Sequence, residues 1–365
     1  MQRALNLADR ARGMTSPNPT VGAVLVRGGE VIGEGYHERA GADHAEVAAL
    51  KSVDGDARGA TAYVTLEPCC HTGRTGPCTE ALITAGVTRV LVAALDPSDK
   101  VDGKGVAALK QAGIEVEVLD GTVAARARAQ NEAFRKYAVT GRPLVTLKSA
   151  MSLDGKIATA SGDSQWISGE ESRRQVHALR GEVDAIAVGS GTAHIDDPLL
   201  TCRLPGARRQ PLRVVFDSEA NLDSDSRLVR TAGEFQTLVF VTDAAPADRV
   251  EALRRDGVEV ARVQALRGRV DVNDALGFLG SREIPILSLM LEGGPTLASS
   301  FVAAGAVDKV MTYIAPMIIG GESARTPVAG EGFNMISEAV ELYRMTHTRV
   351  GDDVLITAYT SKDEW

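Results

Sequence analysis

Apolar positions recur along the chain with two periods, and the switches between them outline its elements. Residues 2–12 place Ala4, Leu7, Ala8 and Ala11 at helical spacing, and the segment starts abruptly, as the remainder of a longer helix would. Ser16-Pro17-Asn18-Pro19 ends it. Apolar runs over 21–26 and 31–36 flank Arg27-Gly28-Gly29-Glu30, a hairpin signal. A helix is predicted from Asp43 to Lys51 and a strand over 60–66. Another helix starts at Pro77, the proline position favoured in a first turn. Strands over 87–95 and 114–119 enclose a short helix over 106–111, and 124–137 reads as one further helix. This order predicts a three-layer α/β domain.

Thr140-Gly141-Arg142-Pro143 closes that series, which sets a boundary between residues 142 and 143. Beyond it, 143–150 is an apolar strand with one lysine, Lys148. An edge or snorkelling position explains such a lysine as well as a functional one does. A polar loop over 161–168 carries Trp166 and precedes a helix over 170–180 and a buried-type strand over 184–189. Thr192, Asp196, Asp197 and Pro198 are read as a loop. Strands follow over 212–217, 237–242 and 258–263, with a helix between the last two. Strand 286–291 runs straight into Glu292-Gly293-Gly294-Pro295-Thr296-Leu297 and a helix to about Ala304. Backbone N–H groups at such a helix start can hold an anion, although an ordinary strand–helix turn looks the same. No G-x-G-x-x-G fingerprint follows any strand. Strand 307–315 and a hairpin over 342–359, turning at Gly351-Asp352-Asp353, close the second domain.

Composition narrows the function classes. The 365 residues suit two domains, and 44 % apolar content supplies two cores. A net charge of −8 without a long basic block argues against a nucleic-acid surface. Three of the four cysteines lie within ten residues, a pattern of metal binding in a reducing compartment rather than of disulfides. There is no 18-residue apolar run, so a cytoplasmic protein without membrane contact is expected.

The chemistry concentrates in His44-Ala45-Glu46 and in EPCCHTGRTGPC, residues 67–78. An H-x-E, a P-C and a later Cys form the pattern of the zinc deaminases. His44, Cys69 and Cys78 are the expected ligands of one zinc ion, for which one imidazole and two thiolates are well suited. Glu46 is the expected proton shuttle. Cys70 is read as a small buried residue, because adjacent side chains rarely reach one metal. The ligand spacing is longer than the usual P-C-x-x-C and contains His71 and Arg74. A cation and several donors beside the metal point to a larger, anionic substrate, such as a phosphate ester.

This loop resembles the deaminase half of the bifunctional deaminase–reductase family of riboflavin biosynthesis. Gly76 stands where that family commonly has Pro. The run KSAMSLDGKIATASGDSQWIS (148–168), T-x-x-x-D-D-P-x-L (192–200) and EGGPTL (292–297) are similar to the reductase half. The resemblance spans nearly the whole chain. It implies a cytidine-deaminase-like three-layer α/β/α domain over 1–142 and a dihydrofolate-reductase-like α/β domain over 143–365. The implied activities are deamination of a diaminopyrimidinone ribosylamino 5′-phosphate and then NADPH-dependent reduction of its ribosyl chain. The implied contacts to NADPH are Ala150, Trp166, Thr192, Asp196, Ser218 and the segment Gly294, Pro295, Thr296, Leu297, Ala298, Ser299 and Ser300. Substrate contacts are implied at Asn18, Lys148, Ser164, Arg180, Leu200, Arg203 and Glu292, beside His71 and Arg74. Asp196 or Glu292 would assist proton movement during reduction. A homo-oligomer, dimer or tetramer, is also implied. Three rival readings are weighed against it: a deaminase of another base or nucleoside with a regulatory nucleotide-binding module, a structural zinc protein with an interaction domain, and an enzyme in which only one of the two sites works.

Overall fold

The structure is a computed structural model that describes residues 1–72 and 76–362. Its described residues divide into two compact units, 1–141 and 142–362.

In the first unit, α1 (Gln2–Asp9) leads into the hairpin β1 (Gly22–Arg27) and β2 (Glu30–Tyr36). Gly28 and Gly29 form its two-residue turn, and both have positive φ, the backbone that a tight hairpin needs. Next come α2 (Ala45–Lys51), β3 (Thr61–Val64), α3 (Cys78–Thr84), β4 (Arg89–Val92), α4 (Lys104–Gln111) and β5 (Glu115–Val118). The sheet order is β2-β1-β3-β4-β5, with β1 antiparallel to both neighbours and β3, β4 and β5 parallel. Alternation along β1 builds the layers. Ala23 and Leu25 join Ala49, Leu82 and Leu109 in one core, while Val24 joins Ala4 and Leu7 in another.

The predicted single helix over 124–137 is instead two, α5 (Gly121–Gln130) and α6 (Glu132–Thr140). The break falls at Asn131, whose backbone leaves the helical range at φ −118° and ψ 20°. Its Oδ1 accepts the Thr20 backbone N–H at 2.7 Å, and its Nδ2 donates to the Thr20 carbonyl at 2.9 Å. That pair of hydrogen bonds ties Asn131 to the stretch that holds Asn18.

The second unit begins with β6 (Leu144–Ser152), α7 (Glu170–Glu182), β7 (Ala185–Gly189), α8 (Ser190–Asp196), β8 (Leu212–Phe216) and α9 (Arg227–Arg230). It continues through β9 (Thr237–Val241), α10 (Ala247–Arg255), β10 (Glu259–Arg262), the two-residue strands β11 (Ala265–Leu266) and β12 (Arg269–Val270), and α11 (Val272–Gly280). It ends with β13 (Ser288–Leu291), α12 (Pro295–Ala303), β14 (Lys309–Ala315), β15 (Tyr343–Val350) and β16 (Asp353–Tyr359). Nine strands form one sheet in the order β10-β9-β8-β7-β13-β6-β14-β16-β15. All run parallel except β16, which is antiparallel to both its neighbours, β14 and β15. One face carries Phe216 and Phe240 against Phe301, and the other buries Val215, Val239 and Met290 with Leu228 and Leu253. Crossover helices on both faces of a parallel sheet give this arrangement.

Two sequence expectations are overturned, and for Lys148, left open between an edge position and a functional one, the edge position is excluded. Thr192 and Asp196 lie in a helix, α8, not in a loop, because Ala193 is buried against the sheet and anchors that turn. Lys148 sits on an inner strand between β13 and β14 rather than at an edge. Cys70 is half-buried rather than buried.

Candidate active sites

The first site is built at the starts of two helices. His44 is the N-cap of α2 and Cys78 the first residue of α3, and Cys69 lies in the loop after β3. Their ligand atoms all lie within 4.8 Å of one another, and Cys70 is not part of the group. His44 Nδ1 is 3.2 Å from Cys78 Sγ and 3.5 Å from Cys69 Sγ. The hydrogen bond from Cys78, helped by His44, holds the Cys69 thiol down at about 4, whereas Cys69 and burial push the Cys78 thiol up. The two sulfurs lie together where a soft cation would hold both as thiolates. One imidazole and two thiolates converging this closely fit zinc, which takes four ligands and in catalytic sites only three from the protein.

Glu46, in the first turn of α2, is buried and touches Cys78. Burial is the main reason its carboxyl is pushed up to about 7. A carboxyl poised near neutrality can both accept and return a proton.

Two further residues support this site. His37 is buried, its Nδ1 lies 2.9 Å from the Asp43 carbonyl, and its Nε2 lies 3.1 Å from Asn18 Nδ2. An Nδ1–H donated to that carbonyl leaves Nε2 to accept from the Asn18 amide, which orients Asn18. Glu67, at the start of the cysteine motif, is also buried and accepts the backbone N–H groups of Asp96, Gly103 and Val106 at 3.0–3.3 Å. Nothing in the residue spacing reveals either pairing. His71 is exposed, and Arg74 lies outside the described residues.

The second site is a cavity of about 1030 Å³ at the carboxyl ends of β7, β8 and β13, where ligands bind in open α/β sheets. Ser164, Thr192, Asp196, Ser218 and Glu292 line it, as do Gly294, Pro295, Thr296, Leu297 and Ser300 from the start of α12. Gly293 and Gly294 both have positive φ, and a Cβ on either would crowd Thr192 at 3.3–3.4 Å. The backbone can therefore approach a ligand closely only with glycine here.

Glu292 makes a bidentate pair with Arg180, at 2.7 and 2.8 Å, and both side chains are largely buried. Burial favours the neutral form of Glu292, but Arg180 outweighs it and holds the carboxyl below its ordinary value. Arg180 also donates to the Thr201 carbonyl at 3.2 Å, which leaves it two of its five N–H donors. Burial lowers the ammonium of Lys148, which has no side-chain hydrogen bond among the described residues. Its Nζ lies 5.9 Å from the centre of the Tyr313 ring. Arg203 contacts His177 Nε2 at 3.2 Å. Burial and the neighbouring Arg180 and Arg227 lower the Arg203 guanidinium, a sign of crowded positive charge. Asp196 is pushed up by burial, against the pull of Arg325.

Lys148, Arg180, Leu200 and Arg203 do not line the cavity, nor do Ala150, Trp166, Ala298 and Ser299. Trp166 is 65 % exposed, with the Arg173 guanidinium 4.7 Å from its ring centre. His177 has no signal in the sequence, because a lone helical histidine carries no motif.

A family model for the cytidine and deoxycytidylate deaminase zinc-binding region matches residues 1–94. A model for the RibD C-terminal domain matches 143–356. The chain is 45 % identical over 356 residues to riboflavin biosynthesis protein RibD of Actinobacillus pleuropneumoniae, covering 98 % of this chain and 93 % of that one. The chain belongs to the RibD family. The RibD of Escherichia coli K12 is 41 % identical, with 98 % and 97 % covered. Among solved structures, Acinetobacter baumannii RibD superposes with a TM-score of 0.85 at 37 % identity, covering 98 % and 97 % of the two chains. A Thermotoga maritima diaminohydroxyphosphoribosylaminopyrimidine deaminase/5-amino-6-(5-phosphoribosylamino)uracil reductase gives 0.84 at 34 %, with the same coverage. The RibD relationship makes the chain a bifunctional deaminase and reductase of riboflavin biosynthesis, with a cytidine-deaminase-like fold followed by a dihydrofolate-reductase-like one. Zinc and a nicotinamide cofactor follow for the RibD pair of domains. No helix among the described residues is long and apolar enough to cross a membrane.

Proposed function

We propose that residues 1–142 remove the exocyclic amine of a diaminopyrimidinone ribosylamino 5′-phosphate, and that 143–365 then reduce its ribosyl chain with NADPH. The convergence of His44, Cys69 and Cys78 beside the buried Glu46 is the observation that carries this reading. One zinc ion held by those three residues would supply the Lewis acidity that makes water nucleophilic. Glu46 takes the proton of the attacking water and delivers it to the departing ammonia. Asn18, oriented by His37, and His71 and Arg74 of the ligand loop hold the substrate.

In the second unit, the Gly294–Ser300 segment offers the helix-start N–H groups to a cofactor phosphate. Ala150, Trp166, Thr192, Asp196 and Ser218 complete the NADPH contacts. The cationic neighbourhood of Arg180 and Arg203 takes the substrate phosphate. Lys148, Ser164, Leu200 and Glu292 hold the sugar. Opening and reducing the ribose needs a proton as well as a hydride. Glu292 is kept ionised by Arg180 and is a poor donor, whereas Asp196, raised by burial, is the better one.

A homo-oligomer, dimer or tetramer, accords with Phe333, Met335, Ile336 and Met345, all exposed in the second unit, Ile336 at 95 %. Sedimentation should give at least twice the chain mass, and a monomer at micromolar concentration would contradict it. Four free cysteines and bacterial biosynthetic relatives accord with a cytoplasmic enzyme.

Metal analysis tests the first site. The purified protein should hold one zinc per chain, and Cys69→Ala or Cys78→Ala should hold less than a tenth of that. Full zinc content in both variants would sink the ligand assignment.

A further inference from the structure

One end of the second cavity is closed by a short hairpin to which the reductase reading gives no task. Strands β11 and β12 pair only with each other. The Val270 backbone N–H donates to Ser218 Oγ at 3.0 Å, which ties the hairpin to the loop after β8. Gly268, Arg269 and Val270 line the cavity together with Ser218, Glu219 and Asn221.

The charges at this end are unevenly engaged. Asp217 is buried and spends its carboxylate on its own turn, accepting the Leu222 N–H at 2.7 Å. Glu219 accepts from the Asn221 amide at 3.4 Å. Arg269 is exposed, and its guanidinium has no hydrogen-bond or ion-pair partner among the described residues. Ser218 uses a lone pair to receive Val270, so its hydroxyl hydrogen is free to donate. The other two cations lining the cavity are engaged: Lys156 donates to the Ala324 carbonyl at 3.3 Å, and Arg325 faces Asp196.

We propose that Arg269 and Ser218 form the subsite for the phosphate on the adenosine ribose, so that Arg269 sets the preference for NADPH over NADH. This rests on the nicotinamide reading of the cavity. A free carboxylate at the end of a strand would receive a ribose hydroxyl and repel a phosphate, whereas an arginine receives the phosphate. Here the carboxylate of Asp217 is turned inward and the arginine is left over. The guanidinium supplies paired N–H donors to the dianion, and the serine hydroxyl adds a third.

The test uses the full-length, zinc-loaded chain and calorimetric binding of adenosine 2′,5′-bisphosphate and of 5′-AMP. The unaltered chain should bind the bisphosphate at least tenfold more tightly. In Arg269→Ala that advantage should shrink to threefold or less, with 5′-AMP binding unchanged. In parallel, kcat/KM for NADPH should fall at least tenfold and that for NADH should hold, with ammonia release unaltered as the check on folding. Retention of the bisphosphate advantage in Arg269→Ala overturns the proposal. So does its loss in Arg325→Ala instead, or a rise in substrate KM without a change in dinucleotide preference, which would make this the substrate's phosphate site. An unaltered chain that oxidises NADH and NADPH equally well refutes the proposal alone. One that oxidises neither refutes the nicotinamide reading beneath it.

Discussion

Replacing Glu46 with Gln should lower ammonia release by about 10²–10⁴-fold while leaving one zinc per chain in place. The residue is buried beside Cys78 but is not one of the three converging ligand groups, so the substitution removes proton transfer and not the metal. Gln keeps the size of the side chain and can still hydrogen-bond, but it cannot accept and return a proton. Supplied with the deaminated uracil intermediate, the same variant should oxidise NADPH within twofold of the unaltered chain. Zinc loss in Glu46→Gln, or a rate within tenfold of normal, would mean that another group carries the proton.

Replacing Glu292 with Ala should destabilise the second unit by about 3–5 kcal/mol, because it leaves the largely buried Arg180 without its partner. Both contacts of the bidentate pair are lost, at 2.7 and 2.8 Å. The reductase should fail with it, since Glu292 also lines the cavity. Ammonia release should persist. Urea unfolding followed at two wavelengths reads the loss, and a change below about 1 kcal/mol would show that the pair is solvated enough to be dispensable.

The two sites differ in how far the sequence foretells them, for physical reasons. His44, Cys69 and Cys78 come from two local motifs whose residue types have few other uses together, so their convergence is legible in the amino-acid order alone. The reductase pocket has no such motif. Its central pair, Arg180 and Glu292, is 112 residues apart and meets only because β13 inserts beside β7. Arg180 stands on a helix with Arg173 and Arg174, where an exposed ion pair is the plainer expectation. His37 and Asn131 likewise act through tertiary hydrogen bonds, to Asn18 and to Thr20. Among the elements, α8 is a seven-residue stretch rich in Ser, Gly, Thr and Asp with little intrinsic helix propensity, and packing of Ala193 overrides that. The helix α11, by contrast, carries both a start signal and helical periodicity in the sequence, although no helix is predicted there above. Asp271 caps it, its side chain accepting the Asn273 N–H, and Ala275, Leu276 and Leu279 follow at helical spacing.

The two activities are measured most directly on the intact chain with the diaminopyrimidinone ribosylamino 5′-phosphate, following ammonia and NADPH absorbance together. Both signals should appear, one ammonia and one NADPH per substrate, with ammonia leading. NADPH consumption without ammonia release would contradict the order of the two reactions. Ammonia release with NADPH untouched would leave the second unit without its assigned activity.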